Sequence, residues 1–315
     1  MRRKVIAHRR ENQLKRGAPA VFADRYRHAR HIASLDAFRD HLEIYRMSSG
    51  LEFPWDYQRS LELALVRTFA VPAIGGLLDA TGEFDRAGQR RYDDTLVLMA
   101  ALAKYGYDSP EGRTALRTIN AAHSWYNIGN DDMLYTLSAF VYEPIRWIER
   151  FGWRPLLDQE RFAAFWFYRN VGVRMNISGI PLCYREFEKY NREYERSRFA
   201  LTAGGHRVSD HAIGVVREWF PRMLRPVVGR SVVCLMDQSM RGALGYPDPR
   251  IWSQVVLRAL RLRRCLQRLA PPPRRSYYDK PPKVRSYPGS QNDYCVADFG
   301  VTVPSPVAAK WRRSP

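Results

Sequence analysis

His123 is the only histidine between His41 and His206, and it sits in the stretch INAAHSWYN ahead of the turn NIGN (127–130). At helical spacing it shares a face with Leu116, Ile119 and Asn127, which turns its imidazole inward. A neutral inward imidazole can satisfy one N–H on a backbone carbonyl and be a core residue. With that N–H held, its other nitrogen can instead ligate a metal. The residue types leave both readings open. One helix earlier, Arg91 and Thr95 stand four residues apart and so lie on one face. An arginine beside the apolar run LVLMAALA suits either a carboxylate-bearing ligand or a solvated helix edge. Asp93 and Asp94 fall on other faces and read as surface charge or helix-start capping. Asp131 and Asp132 read as acids in a first turn, where the helix dipole favours them. Two acidic pairs in a helical chain suggest magnesium and a diphosphate. However, DDTLV lacks the later carboxylate of a DDxxD box, and NDDMLYTLS lacks the following glutamate. A bare-metal site of histidine plus carboxylates has a single histidine to draw on.

The elements that must position these residues are helical, because strand alternation is weak throughout and helix punctuation recurs. The expected fold is all-α, a single multi-helix domain. Ser34 reads as the cap of a helix over SLDAFRDHLEIYRM, and the next helical stretch breaks near Pro72. FDRAGQRRYDDTLVLMAALAKYG closes on Gly106 as a C-cap. Ser109 with Pro110 behind it is a helix start, so His123 belongs to the helix that follows. Another helix opens at Asn130 and runs to about Phe151, with a kink expected at Pro144. Further helices are expected over 156–171, 181–197, 209–223, 230–244 and 248–269. Residues 1–33 read as a basic arm, 34–270 as the domain, and 271–315 as a proline-rich basic tail that wraps over it.

The 315 residues are 45% hydrophobic and carry a net charge of +19, concentrated in two places. Residues 1–31 are net +8 and residues 258–285 net +9, leaving the remainder nearly neutral. Anionic lipid headgroups suit those two segments. Nucleic acid suits them less well, because no reading motif accompanies the charge. No apolar stretch is long and clean enough to span a bilayer, and no signal peptide opens the chain. The expected location is cytoplasmic, with peripheral membrane contact through the basic termini. Cys183, Cys234, Cys265 and Cys295 have no CxxC or CxxCH spacing, which offers no disulfide framework, zinc site or covalent haem attachment. They read as reduced, partly buried thiols.

The run of motifs resembles the family of the mycophenolic-acid oxygenase MpaB and the latex-clearing rubber oxygenases. The residues that carry it are LEFPWDYQRSLELALVRTFAVP (51–72), TGEFDRAGQRRYDDT (81–95), INAAHSWYNIGNDDMLYTLSAFVYEPIRWIERFGWR (119–154), MNISGIP (175–181), YERSRF (194–199) and YPGS (287–290). The resemblance implies an all-α fold enclosing a non-covalent haem b, with His123 as the axial iron ligand. Arg91 and Thr95 would lie near the haem, polarising dioxygen or holding the macrocycle. The implied activity is a haem-dependent oxygenase that uses O2 on a hydrophobic alkene, with cleavage of an isoprenoid C=C bond as the specific expectation. A haem-binding module without turnover is the alternative. Where rubber oxygenases carry a lysine before the threonine, this chain has Asp94, which implies an open sixth position on the iron and puts rubber in doubt as substrate. FAAFWFYRNVG (162–172), Trp125, Tyr126 and Trp147 are the expected pocket walls.

Overall fold

The computed structural model describes residues 24–287, 295–300 and 311. Among them are thirteen α-helices and no strand, as the periodicity predicts. In chain order they are α1 (Arg27–Ser34), α2 (His41–Met47), α3 (Pro54–Thr68), α4 (Pro72–Thr81), α5 (Glu83–Tyr105), α6 (Pro110–Ser124), α7 (Asn130–Phe151), α8 (Asp158–Arg174), α9 (Tyr184–Arg198), α10 (Ala203–Glu218), α11 (Arg225–Leu235), α12 (Gln238–Leu244) and α13 (Arg250–Leu269).

Helix α7 is the apolar axis. Its Leu134, Val141, Ile145 and Ile148 are buried, and α3, α8 and α9 pack on it. Helices α5 and α6 form an adjoining pair, with α10 and α4 beyond. Buried charge is matched by buried counter-charge. Arg154 donates to both Glu52 and Glu160 at 2.6–2.9 Å. Arg67 bonds Glu195 and Asp237, with Glu143 at 3.5 Å. Losing one member of such a pair would strand a desolvated ion, so these clusters fix how the helices dock.

Several helix limits differ from expectation for local reasons. Ser34 ends α1 instead of capping a helix, its hydroxyl donating to the His31 carbonyl. The boundary expected at residue 33 therefore falls inside a helix that buries Ala29 and Ile32. Helix α10 starts earlier than its glycines suggest, because the Thr202 side chain caps it by accepting from the Gly205 N–H. The expected helix over 230–244 is split by Asp237, which accepts from the Met240 N–H and starts α12. Helix α7 continues as α-helix through Pro144. The non-helical residue lies elsewhere, at Ala87 in α5 (φ −144°, ψ 36°).

In its described residues the proline-rich tail lies against the helices. It is held by Asp93, which is fully buried: one carboxylate oxygen accepts from the Arg285 and Ser286 N–H groups at 2.7 Å and from the Ser286 hydroxyl at 2.6 Å. Asp94 is buried too, and accepts from the Tyr287 hydroxyl at 2.5 Å. The surface-charge reading of this pair is thus corrected; both acids anchor the tail. Farther along the fold, a single π-helical turn, Ser48–Glu52, joins α2 to α3. A Cβ on Gly50 there would stand 2.3 Å from Ser276 Oγ, so only glycine lets the tail lie this close. The Tyr278 hydroxyl completes the contact by donating to Ser49 Oγ. Of the cysteines only Cys234 is buried; the other three are exposed.

Candidate functional site

The turn between α5 and α6 decides which residues meet. Ser109 Oγ accepts from the Gly112 N–H at 2.9 Å, and Pro110 occupies the first helical position. A Cβ on Gly112 would stand 1.9 Å from the Gly106 carbonyl, so the start of α6 is pressed against the end of α5. From Arg91 to the end of α5 the rise is about 21 Å, and from the start of α6 to His123 it is about 20 Å. A chain that folds back across so tight a turn returns His123 to the level of Arg91.

His123 Nδ1 lies 2.7 Å from the Ile119 carbonyl. A carbonyl only accepts, so Nδ1 carries the proton and a neutral ring keeps its lone pair on Nε2. Burial, and then the Arg91 charge, hold the imidazole pKa below its ordinary value, outweighing the Ile119 bond. The ring is thereby kept neutral with a nitrogen available to a metal. Among the described residues no cluster of three or more His, Cys, Asp or Glu is arranged to hold a metal ion. Within them, a metal at His123 would have to bring its other ligands with it.

Arg91 is desolvated, and its Nε has no hydrogen-bond partner among the described residues. Desolvation lowers its pKa against the raising effects of Asp94, Glu83 and Tyr126. Guanidinium remains charged in proteins, so this group is under-compensated and suited to an anion. Thr95 lies one turn further along α5, its hydroxyl donating to the Arg91 carbonyl at 2.9 Å. All three side chains stay partly accessible although they stand inside the helix stack.

Thr95 also lines a mostly apolar cavity of about 100 Å³, together with Leu61, Leu65, Met99, Phe140 and Tyr168. Tyr277 and Tyr278 of the tail form part of its wall. Of the expected pocket walls, Tyr168 in FAAFWFYRNVG lines it, whereas Trp147 is buried and donates to Asp56. Tyr126 comes near Arg91, on whose charge it acts. The sequence reading missed Glu62, the carboxyl in this cavity wall. It accepts from Arg59 and from the Tyr92 hydroxyl, both at 2.6 Å, and burial raises its pKa despite them. Its signal was an acid inside the apolar run LELALV of α3. Asp93, by contrast, is taken up by the tail backbone, while Asp94 accepts from Tyr287 through one oxygen and has its other oxygen buried near the Arg91 charge.

Residues 63–269 match the profile of "ER-bound oxygenase mpaB/B'/Rubber oxygenase, catalytic domain". The chain belongs to this oxygenase family. It is 29% identical to the ER-bound oxygenase mpaB' of Penicillium brevicompactum over 250 residues, which is 73% of this chain and 59% of that protein. It is 29% identical to the ER-bound oxygenase mpaB of Penicillium roqueforti over 224 residues, 65% of this chain and 75% of the relative. A third relative, mpaB of Penicillium brevicompactum, is 34% identical over 141 residues, 43% of this chain and 36% of its own length. The chain thus spans about three-fifths of the first relative's length. The family's matched region contains Arg91, Thr95 and His123, and also the cavity wall on α5, α7 and α8, whereas of the α3 wall it includes only Leu65.

Proposed function

We propose that this member of the mpaB/rubber oxygenase family is a haem b-dependent oxygenase that adds O2 across a C=C bond of an isoprenoid chain, yielding two carbonyl products. The observation that carries the reading is the pairing of a neutral histidine, its Nε2 lone pair available, with a desolvated, under-partnered arginine at the same level of the adjacent helix. The residues present fit a haem: one lone-pair nitrogen for the iron, and a partly buried cation, its Nε without a partner among the described residues, for a propionate. Bound haem iron supplies the redox and dioxygen chemistry.

The chain's own contribution is placement and exclusion of water. The Ile119 carbonyl fixes the His123 tautomer and ring orientation. Arg91 holds the anionic edge. Thr95, its hydroxyl donating to the Arg91 carbonyl, lines a cavity whose mostly apolar walls suit a hydrocarbon chain. Glu62, with its raised pKa, holds a proton in that wall more readily than an exposed carboxylate does. Asp94 holds the tail through Tyr287 and partly offsets the Arg91 charge.

The experiment is oxygen uptake by haem-loaded protein with an isoprenoid oligomer and a reductant, with products trapped as hydrazones. One O2 consumed per alkene, with two carbonyls formed, is the expected result. Stoichiometric haem with no oxygen uptake on any alkene would instead make the chain a haem-binding module.

A further inference from the structure

Helix α13 (Arg250–Leu269) has two apolar faces where a surface helix needs one. Leu260, its single buried residue, packs inward. On the opposite side Ile251, Val255, Leu262, Leu266 and Leu269 fall within an arc of about 60°. These five are 51–81% exposed, so an apolar stripe, interrupted midway at Arg258, faces solvent along a helix of about 30 Å. The roll of the helix is locked. Arg263 points inward and holds the buried Asp56 through two hydrogen bonds of 2.9 and 3.1 Å, and it lies 3.7 Å from the Trp55 ring centre. Arg268 donates to the Trp153 carbonyl at 2.8 Å. Turning the stripe inward would break the pair to a buried carboxylate.

The charge on α13 selects the partner. The helix has six arginines and no acidic residue, and Arg250, Arg258, Arg261 and Arg268 are exposed. Two copies meeting across this stripe would bring arginine against arginine. The chain's first 23 residues carry seven Lys/Arg against one Glu, a charge of the same sign as the helix and so no complement to it. An apolar stripe flanked by arginines suits an anionic lipid surface, with the aliphatic side chains entering the acyl boundary and the guanidinium groups meeting phosphates. With six arginines α13 cannot enter the hydrocarbon core lengthwise, so its attachment lies along the surface.

We propose that α13 seats the protein on anionic membranes by inserting the stripe Ile251–Val255–Leu262–Leu266–Leu269. The proposal does not depend on haem or on turnover. The test is co-sedimentation of the full chain with phosphatidylcholine vesicles, with and without phosphatidylglycerol. A Leu262→Gln/Leu266→Gln double variant, which leaves the charge unchanged, is run beside it, with sedimentation velocity on both proteins. Binding is expected only to the anionic vesicles, weakened by salt and reduced about tenfold in the variant, whose melting temperature stays unchanged because both leucines are exposed. Equal binding by the variant would assign the attraction to the basic arm alone and overturn the proposal. Wild-type protein that ignores both vesicles, or substitutions that merely split a dimer, would also overturn it and give the stripe to a protein partner or a second copy.

Discussion

Replacing His123 with alanine is expected to weaken haem binding by more than about 100-fold, because changing an outer partner of a metal ligand already costs about 10- to 100-fold and the ligand itself costs at least as much. The apoprotein should fold normally. The one hydrogen bond lost is a local bond to the Ile119 carbonyl of its own helix, a net contribution of about 1 kcal/mol. Titration of haemin into wild type and variant, with circular dichroism on both apoproteins, separates the two effects. A variant that binds haem as tightly as wild type, with the same spectrum, would return His123 to the core-histidine reading.

The second large effect is expected at Arg91. Exchanging it for methionine keeps the volume and removes a desolvated cation whose Nε has no partner among the described residues. Replacing a buried ion by an apolar side chain of similar size is commonly neutral or stabilising by about 1–4 kcal/mol. The Arg91→Met apoprotein should therefore melt no lower than wild type, while its haem affinity falls about tenfold or more and turnover is lost with the misplaced macrocycle. If Arg91 were instead a structural partner of Asp94, the same change would cost the apoprotein about 3–5 kcal/mol and leave haem affinity alone. Thermal melts with and without haem distinguish these outcomes, since a ligand-binding role moves only the holo melt.

The helical fold and the register of α6 were legible in local signals. Ser109 and Pro110 cap its start, and the spacing of Leu116, Ile119 and His123 gives its inward face. The return of His123 to Arg91 was legible only as a family resemblance, because the contact depends on a close approach of Gly112 to Gly106 that periodicity does not encode. Asp93 and Asp94 were misread since nothing local indicates that a segment almost two hundred residues later lies across them. Glu62 was passed over because an acid in an apolar helix also suits a solvated edge; its burial depends on Arg59 and Tyr92 supplying donors. The split at Asp237 and the early start of α10 depended on side-chain caps that compete with the helix pattern around them. The helix of α13 and its basic charge were legible, but which of its faces is covered follows only from Arg263 reaching Asp56.

If His123 and the partly buried Arg91 hold a b-type haem, a pyridine haemochrome assay on the full chain after loading with haemin will show it. The expected result is a Soret band and about one haem b per chain. A colourless protein that takes up no haemin would contradict it.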